Sequence, residues 1–327
     1  MYFNEIIGHD DLKDRIQKAL KDDQLAHAYI FEGVQGVGKS LTAEALAAAL
    51  LCEVNGDEAC GTCSACLKMA SANHPDYEIV LPDGASIKNK QIETFQEFIL
   101  LKPYTGNKKI AVVRYAHTMT LSAQNRILKI LEEPPHYAVI IFITDQVASM
   151  LPTIRSRCQI VSFQRLSREK ISRYLMDAHN LSQEDANMYA TFADGSILRA
   201  NESISDEVFV ELRGSVIEFI DCLIHKKTAK AFDWASDIES QKEKLELVLN
   251  LMKLWFRDIM LLKNGAQEEL LFNADHIETL RKESYRVSLC KSVEILERIE
   301  QARTQLASHV NVGLLLETLI LDIQEGM

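Results

Sequence analysis

The chain has 327 residues, of which 47% are hydrophobic and 25% charged, and its formal net charge is −11 at pH 7. This composition is typical of a globular protein with two or three domains, and it excludes a disordered, collagen-like or coiled-coil chain. The acidic charge also disfavours a free-standing nucleic-acid-binding domain, because such domains are usually basic.

No membrane or secretory segment is predicted. The longest apolar run, Ala45 to Cys52, is bounded by Glu44 and Glu53 and is far shorter than the ~20 residues of a transmembrane helix. The first residues, MYFNEIIGHDD, lack the basic-then-apolar order of a secretory signal. We therefore expect a cytoplasmic protein with no membrane partner.

Strand-like and helical segments alternate in the first half of the chain. Apolar runs that favour strands occupy residues 27–33, 76–82, 108–115, 137–144 and, more weakly, 158–163. Runs this apolar are typical of strands buried on both faces, and helices between them favour parallel pairing. The pattern predicts a three-layer α/β domain over residues 1–165.

A glycine-rich loop follows the first predicted strand. Residues 33–40, GVQGVGKS, match G-x-x-x-x-G-K-[ST] and lie between a strand predicted over residues 28–32 and a helix predicted over residues 41–51. The glycines of such a loop let backbone N–H groups converge on phosphate oxygens. We predict a phosphate-binding loop for which ATP with Mg²⁺ is the candidate ligand, and the alternative is a glycine-rich turn that binds nothing; whether nucleotide is bound or hydrolysed is a separate question. The predicted nucleotide-binding residues are Gly33, Gly36, Gly38, Lys39, Ser40 and Leu41.

Four of the seven cysteines cluster directly after the helix that follows the phosphate loop, at Cys52, Cys60, Cys63 and Cys66. Thiolates at this spacing suit a tetrahedral Zn²⁺ ion, so we predict a structural zinc site with no open position for catalysis. An iron–sulfur cluster, which also takes four thiolates, and free cysteines that bind nothing are the alternatives.

ATP hydrolysis at the loop would also require nearby acids. After the apolar run 110–113, two acids would be expected, and Arg114 and Tyr115 stand there instead. An arginine cannot ligate Mg²⁺. Either the site lacks its acids or a different strand supplies them, and the run 139–144 ends in Asp145, which is a weak substitute.

The rest of the α/β segment predicts a helix and an arginine-rich turn. Leu121, Ile127, Leu128 and Leu131 predict a buried stripe on a helix that a proline pair ends. Arg155 and Arg157 flank Ser156 and form either a solvated turn or a phosphate contact. Lys108 and Lys109 are predicted to lie in a solvated turn. Beyond residue 165 the pattern is helical, and Trp234, Trp255 and Phe256 are predicted to fill a helical bundle.

Several segments together resemble the clamp-loader subunits of the AAA+ class and, more narrowly, the delta-prime family of bacterial DNA polymerase III. The resemblance spans nearly the whole chain. It implies an AAA+ P-loop domain over residues 1–165 with a zinc insert at 52–66, a small helical lid domain over 166–205, and an all-α collar domain for oligomerisation over 206–327. The segments that carry it are HAYIFEGVQGVGKS, the four-cysteine insert, HPD at 74–76, SIKNKQIETF, AHTMTLSAQNRILKILEEPP, LPTIRSRCQ and ASHVNVGLLLETLILDI.

The resemblance also implies roles for single residues. Ser156-Arg157-Cys158 matches the family's SRC motif, which implies that Arg157 is an arginine finger acting in trans on ATP bound to an adjacent ATPase subunit. Thr144 falls at a polar sensor position, and Leu198 stands where ATPase subunits have a second sensor arginine.

These implications favour a subunit that does not hydrolyse ATP. Its implied partners are the gamma/tau ATPase subunits, the delta subunit, the sliding clamp and primed DNA, at the bacterial replisome. An active gamma/tau-like ATPase is the alternative hypothesis. A zinc-dependent DNA-binding protein is a third, which the acidic charge disfavours because phosphate neutralisation supplies much of non-specific DNA affinity.

Overall fold

The computed structural model describes residues 2–54, 56–205, 208–306 and 310–325. The first three residues of the segment ASHVNVGLLLETLILDI, 307–309, lie outside this part of the chain. The chain divides into two compact units, one of Met1–Ala186 with Ala193–Ala200 and one of Asn187–Phe192 with Asn201–Met327. The predicted three-domain boundaries at residues 165 and 205 remain predictions.

The first unit contains five strands, which confirms the predicted strands to within two residues at each end. The strands are β1 (Ala28–Glu32), β2 (Tyr77–Val80), β3 (Lys109–Val113), β4 (Ala138–Thr144) and β5 (Gln159–Ser162). The helices that lie entirely within the first unit are α1 (Asp10–Lys21), α2 (Lys39–Leu51), α3 (Ser64–Ala70), α4 (Asn89–Leu100), α5 (Leu121–Glu132), α6 (Pro152–Arg155) and α7 (Arg168–His179). Two further helices, α8 (Gln183–Phe192) and α9 (Ile197–Ser205), each begin in the first unit and end in the second. Short 3₁₀ turns span Phe3–Glu5, Ala116–Thr118 and Val147–Ser149.

The five strands form one parallel sheet in the order β2-β3-β4-β1-β5. The strand β1 lies in register with β4, Ala28 opposite Ile140 and Glu32 opposite Thr144. Because all strands run the same way, their carboxyl ends lie along one edge of the sheet. The phosphate loop after β1 and the turn after β4 are therefore neighbours.

The three central strands β1, β3 and β4 are buried on both faces, as their apolar runs predict. Tyr29 and Phe31 point to one face and pack in a core with Leu46 of α2, while Ala28 and Ile30 point to the other face and pack with helices α4 and α5. Side chains alternate along a strand, so successive residues of β1 supply the two cores in turn. This arrangement confirms the predicted three-layer α/β domain.

Two sequence predictions in this unit were wrong. Leu121 is 64% exposed, because it is the first residue of α5, directly after the N-cap Thr120, and precedes the turns that pack on the sheet. Lys109 is 4% exposed. It begins β3 instead of lying in a solvated turn, and its Nζ lies 3.4 Å from Oδ1 of the buried Asp76 and 4.2 Å from the ring centroid of Phe98.

The second unit is a bundle of helices, as predicted. Its helices are α10 (Val208–Ile224), α11 (Thr228–Glu239), α12 (Leu245–Lys263), α13 (Ile277–Arg286), α14 (Leu289–Leu306) and α15 (Val312–Glu325), with 3₁₀ turns at Lys242–Lys244, Glu268–Leu270 and Ala274–His276. Trp255 and Phe256 are at most 1% exposed, and Trp234 stacks on Phe219 with ring centroids 4.0 Å apart, so the predicted aromatic filling is confirmed. Within the described residues, no helix is long and apolar enough to span a membrane.

Candidate nucleotide and metal sites

The predicted phosphate loop lies between β1 and α2, in the strand–loop–helix setting that the motif requires. Gly36 has a φ of +79°, and a Cβ there would lie 2.3 Å from Oγ of Ser196 and 2.5 Å from Cβ of Leu198. The residue therefore must be glycine for both its backbone angle and its space. The amide of Ile197 donates to the Gly36 carbonyl at 3.1 Å, so the start of α9 packs on the loop.

Lys39 is the first residue of α2 and is 6% exposed. Its Nζ donates to the carbonyl oxygens of Gly33, at 2.5 Å, and Val34, at 2.7 Å. Burial lowers the pKa of Lys39 below its usual range, while the nearby Asp145 acts in the opposite direction. Ser40 is half-buried and Leu41 is 50% exposed in the next positions of the helix. The buried ammonium of Lys39 and the N-terminus of α2 both lie at this loop, an arrangement suited to an anion.

Arg114, directly after β3, does not act at the loop. Its Nη2 donates to Oε1 of Glu44, which lies on α2. Both side chains are largely buried, at 27% and 16% exposed. The neighbouring Tyr115 has a left-handed backbone, with φ 55°, and its side chain is 44% exposed. At the end of β3 a cation therefore faces an acid, and neither residue there offers a carboxylate to a metal.

The end of β4, adjacent to β1, has a cluster that sequence reasoning missed. Thr144 is 1% exposed. Its Oγ1 lies 3.3 Å from Nδ1 of His117 and accepts from the Gln146 amide at 3.0 Å. The same His117 Nδ1 lies 3.0 Å from Oδ1 of Asp145. The sequence patterns drew attention to Thr144 and Asp145 but not to His117, because 27 residues separate it from Thr144 and no local spacing signals the contact.

Arg157 lies on the surface after α6, and its side chain forms two hydrogen bonds with other residues of the first unit. Its Nη1 donates to the Thr153 carbonyl at 2.9 Å, and its Nη2 donates to Oε1 of Glu132 at 3.0 Å. The side chain is 35% exposed. The structure therefore joins two of the sequence segments quoted above, LEEPP and SRC, through one ion pair. Burial raises the pKa of the neighbouring Cys158 thiol to about 12.

The four clustered cysteines meet in space as their spacing predicts. The four Sγ atoms of Cys52, Cys60, Cys63 and Cys66 all lie within 4.8 Å of one another. Two of the distances, Cys52 to Cys63 and Cys60 to Cys66, are 3.9 Å. Tetrahedral Zn–S bonds of about 2.3 Å place sulfur atoms about 3.8 Å apart. The sulfur positions therefore fit a four-coordinate metal ion.

Local backbone structure aims these thiols at one point. Cys52 caps the C-terminus of α2 and Cys63 caps the N-terminus of α3. Three backbone amides each donate to the sulfur of another cysteine at 3.4 Å. The Cys60 amide donates to Cys52 Sγ, the Cys63 amide to Cys60 Sγ and the Cys66 amide to Cys63 Sγ. Such donors stabilise thiolate ligands. Hydrogen bonds, first from the Thr62 backbone, lower the pKa of Cys60 to about 6, whereas burial raises the pKa of Cys66 to about 12.

Comparison with known proteins identifies relatives along nearly the whole chain. A sequence profile of the family described as "DNA polymerase III, delta subunit" matches residues 8–167, and one described as "DNA polymerase III, delta subunit, C terminal" matches residues 211–325. The chain is 32% identical to DNA polymerase III subunit delta' of Bacillus subtilis over 325 residues, which cover 97% of this chain and 98% of that protein.

Two further relatives are similar to this chain at lower sequence identity. The delta' subunit of Pseudomonas aeruginosa is 29% identical over 311 residues, which cover 91% of this chain and 92% of that protein. The tau subunit of Bacillus subtilis is 26% identical over 328 residues, which cover 91% of this chain but only 58% of that protein.

Proposed function

Because this chain belongs to the delta-prime subunit family of bacterial DNA polymerase III, we propose that it acts in the clamp loader without hydrolysing ATP and contributes Arg157 to ATP bound on a neighbouring subunit. The observation that carries the proposal is the pairing of Arg114 with Glu44, because it fills the end of β3 with a neutralised cation where hydrolysis needs acids.

The phosphate loop is proposed to bind ATP without turning it over. The buried Lys39 and the N-terminus of α2 supply positive potential for the phosphates, and Ser40 offers a hydroxyl to Mg²⁺. Leu198, instead of an arginine, packs near Gly36, so this position adds no charge to stabilise a transferring phosphoryl group. We therefore expect the loop to bind ATP without hydrolysing it.

Arg157 is proposed to act outside its own subunit. Its guanidinium is partly exposed and lies on the segment between α6 and β5. A planar guanidinium donates two parallel hydrogen bonds to phosphate oxygens and keeps its charge at any physiological pH. Such an arginine, supplied in trans, stabilises the charge that develops on the transferring phosphoryl group.

The four-cysteine cluster is proposed to hold a structural Zn²⁺ ion. All four thiols converge, so the ion would have a complete ligand set and no open position for a substrate. The ion would fix the segment between α2 and α3. An iron–sulfur cluster would need the same ligands, and metal analysis distinguishes the two.

The partners follow from the proposed role. We infer that the chain assembles with gamma/tau ATPase subunits and the delta subunit in a ring, in the bacterial cytoplasm at the replisome. The ring loads the sliding clamp onto primed DNA. The helical second unit is proposed to supply the collar contacts of this ring.

An active ATPase of the gamma/tau kind is the second candidate. The intact loop and the acid Asp145, which interacts electrostatically with Lys39, favour it. Phosphate release by the purified chain separates the two candidates. The proposed function predicts saturable binding of labelled ATP with release no faster than that of a Lys39→Ala variant. Turnover that depends on Lys39 would support the alternative.

A further inference from the structure

We propose that Glu132 is a positioning residue for Arg157, which it restrains until the triphosphate of a neighbouring subunit replaces it; this inference rests on the proposed function of Arg157. The carboxylate of Glu132 accepts from Nη2 of Arg157 at 3.0 Å. Carboxylate and phosphate oxygens present similar acceptors to a guanidinium. The Glu132 carboxylate therefore accepts a hydrogen bond from Arg157 that a phosphate oxygen could accept instead.

The location of Glu132 favours this role over a purely local one. It is the last residue of α5, and the helix ends there because Pro134 and Pro135 follow. A negative charge at a helix C-terminus interacts unfavourably with the helix dipole. The helix thus gains nothing from this carboxylate, whereas Arg157 gains a partner 25 positions away in sequence.

The second contact of Arg157 stays available when the first is broken. Its Nη1 donates to the Thr153 carbonyl, which belongs to the adjacent helix α6. This bond holds one terminal nitrogen of the guanidinium, while the Glu132 bond involves the other terminal nitrogen. Release of Glu132 therefore frees one edge of the fork without releasing the whole side chain.

The pair is weak enough to be exchanged. Both side chains are partly in solvent, Arg157 at 35% and Glu132 at 52% exposed. Exposed ion pairs change equilibria by about 1.5-fold to fivefold. A triphosphate carries several negative charges and forms stronger charge-assisted bonds. Exchange of the Glu132 carboxylate for a phosphate as the partner of Arg157 is therefore favourable, but the Arg157–Glu132 ion pair must first break.

The test uses the reconstituted clamp loader containing this subunit, with MgATP as the probe. The Arg157-dependent ATPase is the rate of a complex minus the rate of the same complex with Arg157→Ala. Glu132→Gln is expected to raise kcat/KM of this component by about 1.5-fold to fivefold, because free Arg157 no longer has to leave a carboxylate. The gain should shrink at high salt, where exposed charges are screened.

Glu133→Gln is the matched control. Glu133 is the adjacent acid and is exposed, and within the described residues its side chain has no hydrogen bond or ion pair. Glu133→Gln should leave kcat/KM unchanged. The ATPase rate of a complex with both Glu132→Gln and Arg157→Ala should equal the rate of the complex with Arg157→Ala alone. An unchanged or lower kcat/KM in Glu132→Gln would overturn the restraint while leaving the finger intact. An Arg157→Ala complex with full ATPase would instead overturn the proposed function itself.

Discussion

The guanidinium of Arg114 donates to the carboxylate of Glu44 across the space between the end of β3 and the helix after the phosphate loop. The Nε of Arg114 is buried without a hydrogen-bond partner within the described residues, so the ion pair through Nη2 compensates the burial of the charge but leaves this Nε unsatisfied. The pair explains how a large cation is accommodated beside the sheet. It also occupies the position where an ATPase would be expected to present acids.

Removing the cation should destabilise the first unit. In Arg114→Met the side-chain stem is retained, but Glu44, at 16% exposed, loses its partner in a poorly solvated place. We expect a loss of about 1–3 kcal/mol in the free energy of unfolding, measured by urea denaturation. Arg126→Met is the control, because its pair with Glu93 is more exposed, at 33% and 56%, and should cost under about 1 kcal/mol. Equal effects would show that the Arg114 pair is no more than a surface contact.

Lys39 should govern nucleotide affinity. In Lys39→Met the phosphate site loses a cation that forms charge-assisted hydrogen bonds, so we expect ATP affinity to fall at least about tenfold. Titration of labelled ATP against the isolated chain measures this. Lys90→Met, at an exposed lysine of α4, should bind like the unaltered chain. Equal affinity in the Lys39 and Lys90 variants would place any bound nucleotide elsewhere.

The cysteine cluster should retain one zinc ion per chain through purification. Cys66→Ser should remove it, because three thiolates and a hydroxyl no longer match the ligands that Zn²⁺ prefers. Cys290→Ser, at an exposed cysteine outside the cluster, should keep the ion. Elemental analysis reports both results. Iron with acid-labile sulfide in place of zinc would establish the iron–sulfur alternative, and no metal in the unaltered chain would refute both.

Glu283 should make the helical second unit less stable as the pH rises. Its side chain is 3% exposed and accepts from Nε1 of Trp255 at 2.6 Å. Burial, with help from Asp221, raises the pKa of Glu283 from 4.5 to about 7, against the opposing effects of the Trp255 hydrogen bond and of Arg286. Because the folded state holds the proton more tightly, this contribution is complete below pH ~4.5 and is lost as the pH rises through about 7.

Glu283→Gln should therefore stabilise the second unit at pH 8, by up to about 3 kcal/mol, with little change at pH 4. The amide oxygen can still accept from the Trp255 indole. Trp fluorescence during urea denaturation at both values follows the unfolding. A variant that is destabilised equally at the two pH values would show that folding does not raise the pKa of Glu283.

Local sequence patterns predicted much of this fold. The apolar runs identified all five strands, most clearly β1, β3 and β4, because strands buried on both faces have little freedom in composition. The loop from Gly33 to Ser40 and the cluster from Cys52 to Cys66 were also predictable, because in each case all the residues of the motif lie within one short segment of the sequence. The contacts of Arg157 with Glu132 and of His117 with Thr144 were not, since tertiary folding alone brings these pairs together.

The wrong predictions have the same origin. Leu121 matched the apolar stripe of α5 but lies at the helix start, where periodicity does not report whether a neighbour covers the residue. Lys109 is buried because Asp76, which also accepts from the amides of Tyr104 and Thr105 at 2.7 and 2.9 Å, provides a distant partner. Sequence alone cannot anticipate a lysine that is buried by a long-range ion pair.

The central claim, that this subunit contributes an arginine to a reaction on its neighbour, is tested most directly by the ATPase rate of the complete clamp loader with Arg157→Lys. Lysine keeps the charge but lacks the planar fork. We expect the site served by residue 157 to lose most of its turnover, since arginine fingers contribute ~10³–10⁵ in other systems, and the total rate to fall by that site's share. Arg173→Lys, at an exposed arginine of α7, should leave the rate unchanged. A complex with Arg157→Lys that assembles normally and retains its full ATPase rate would contradict the claim.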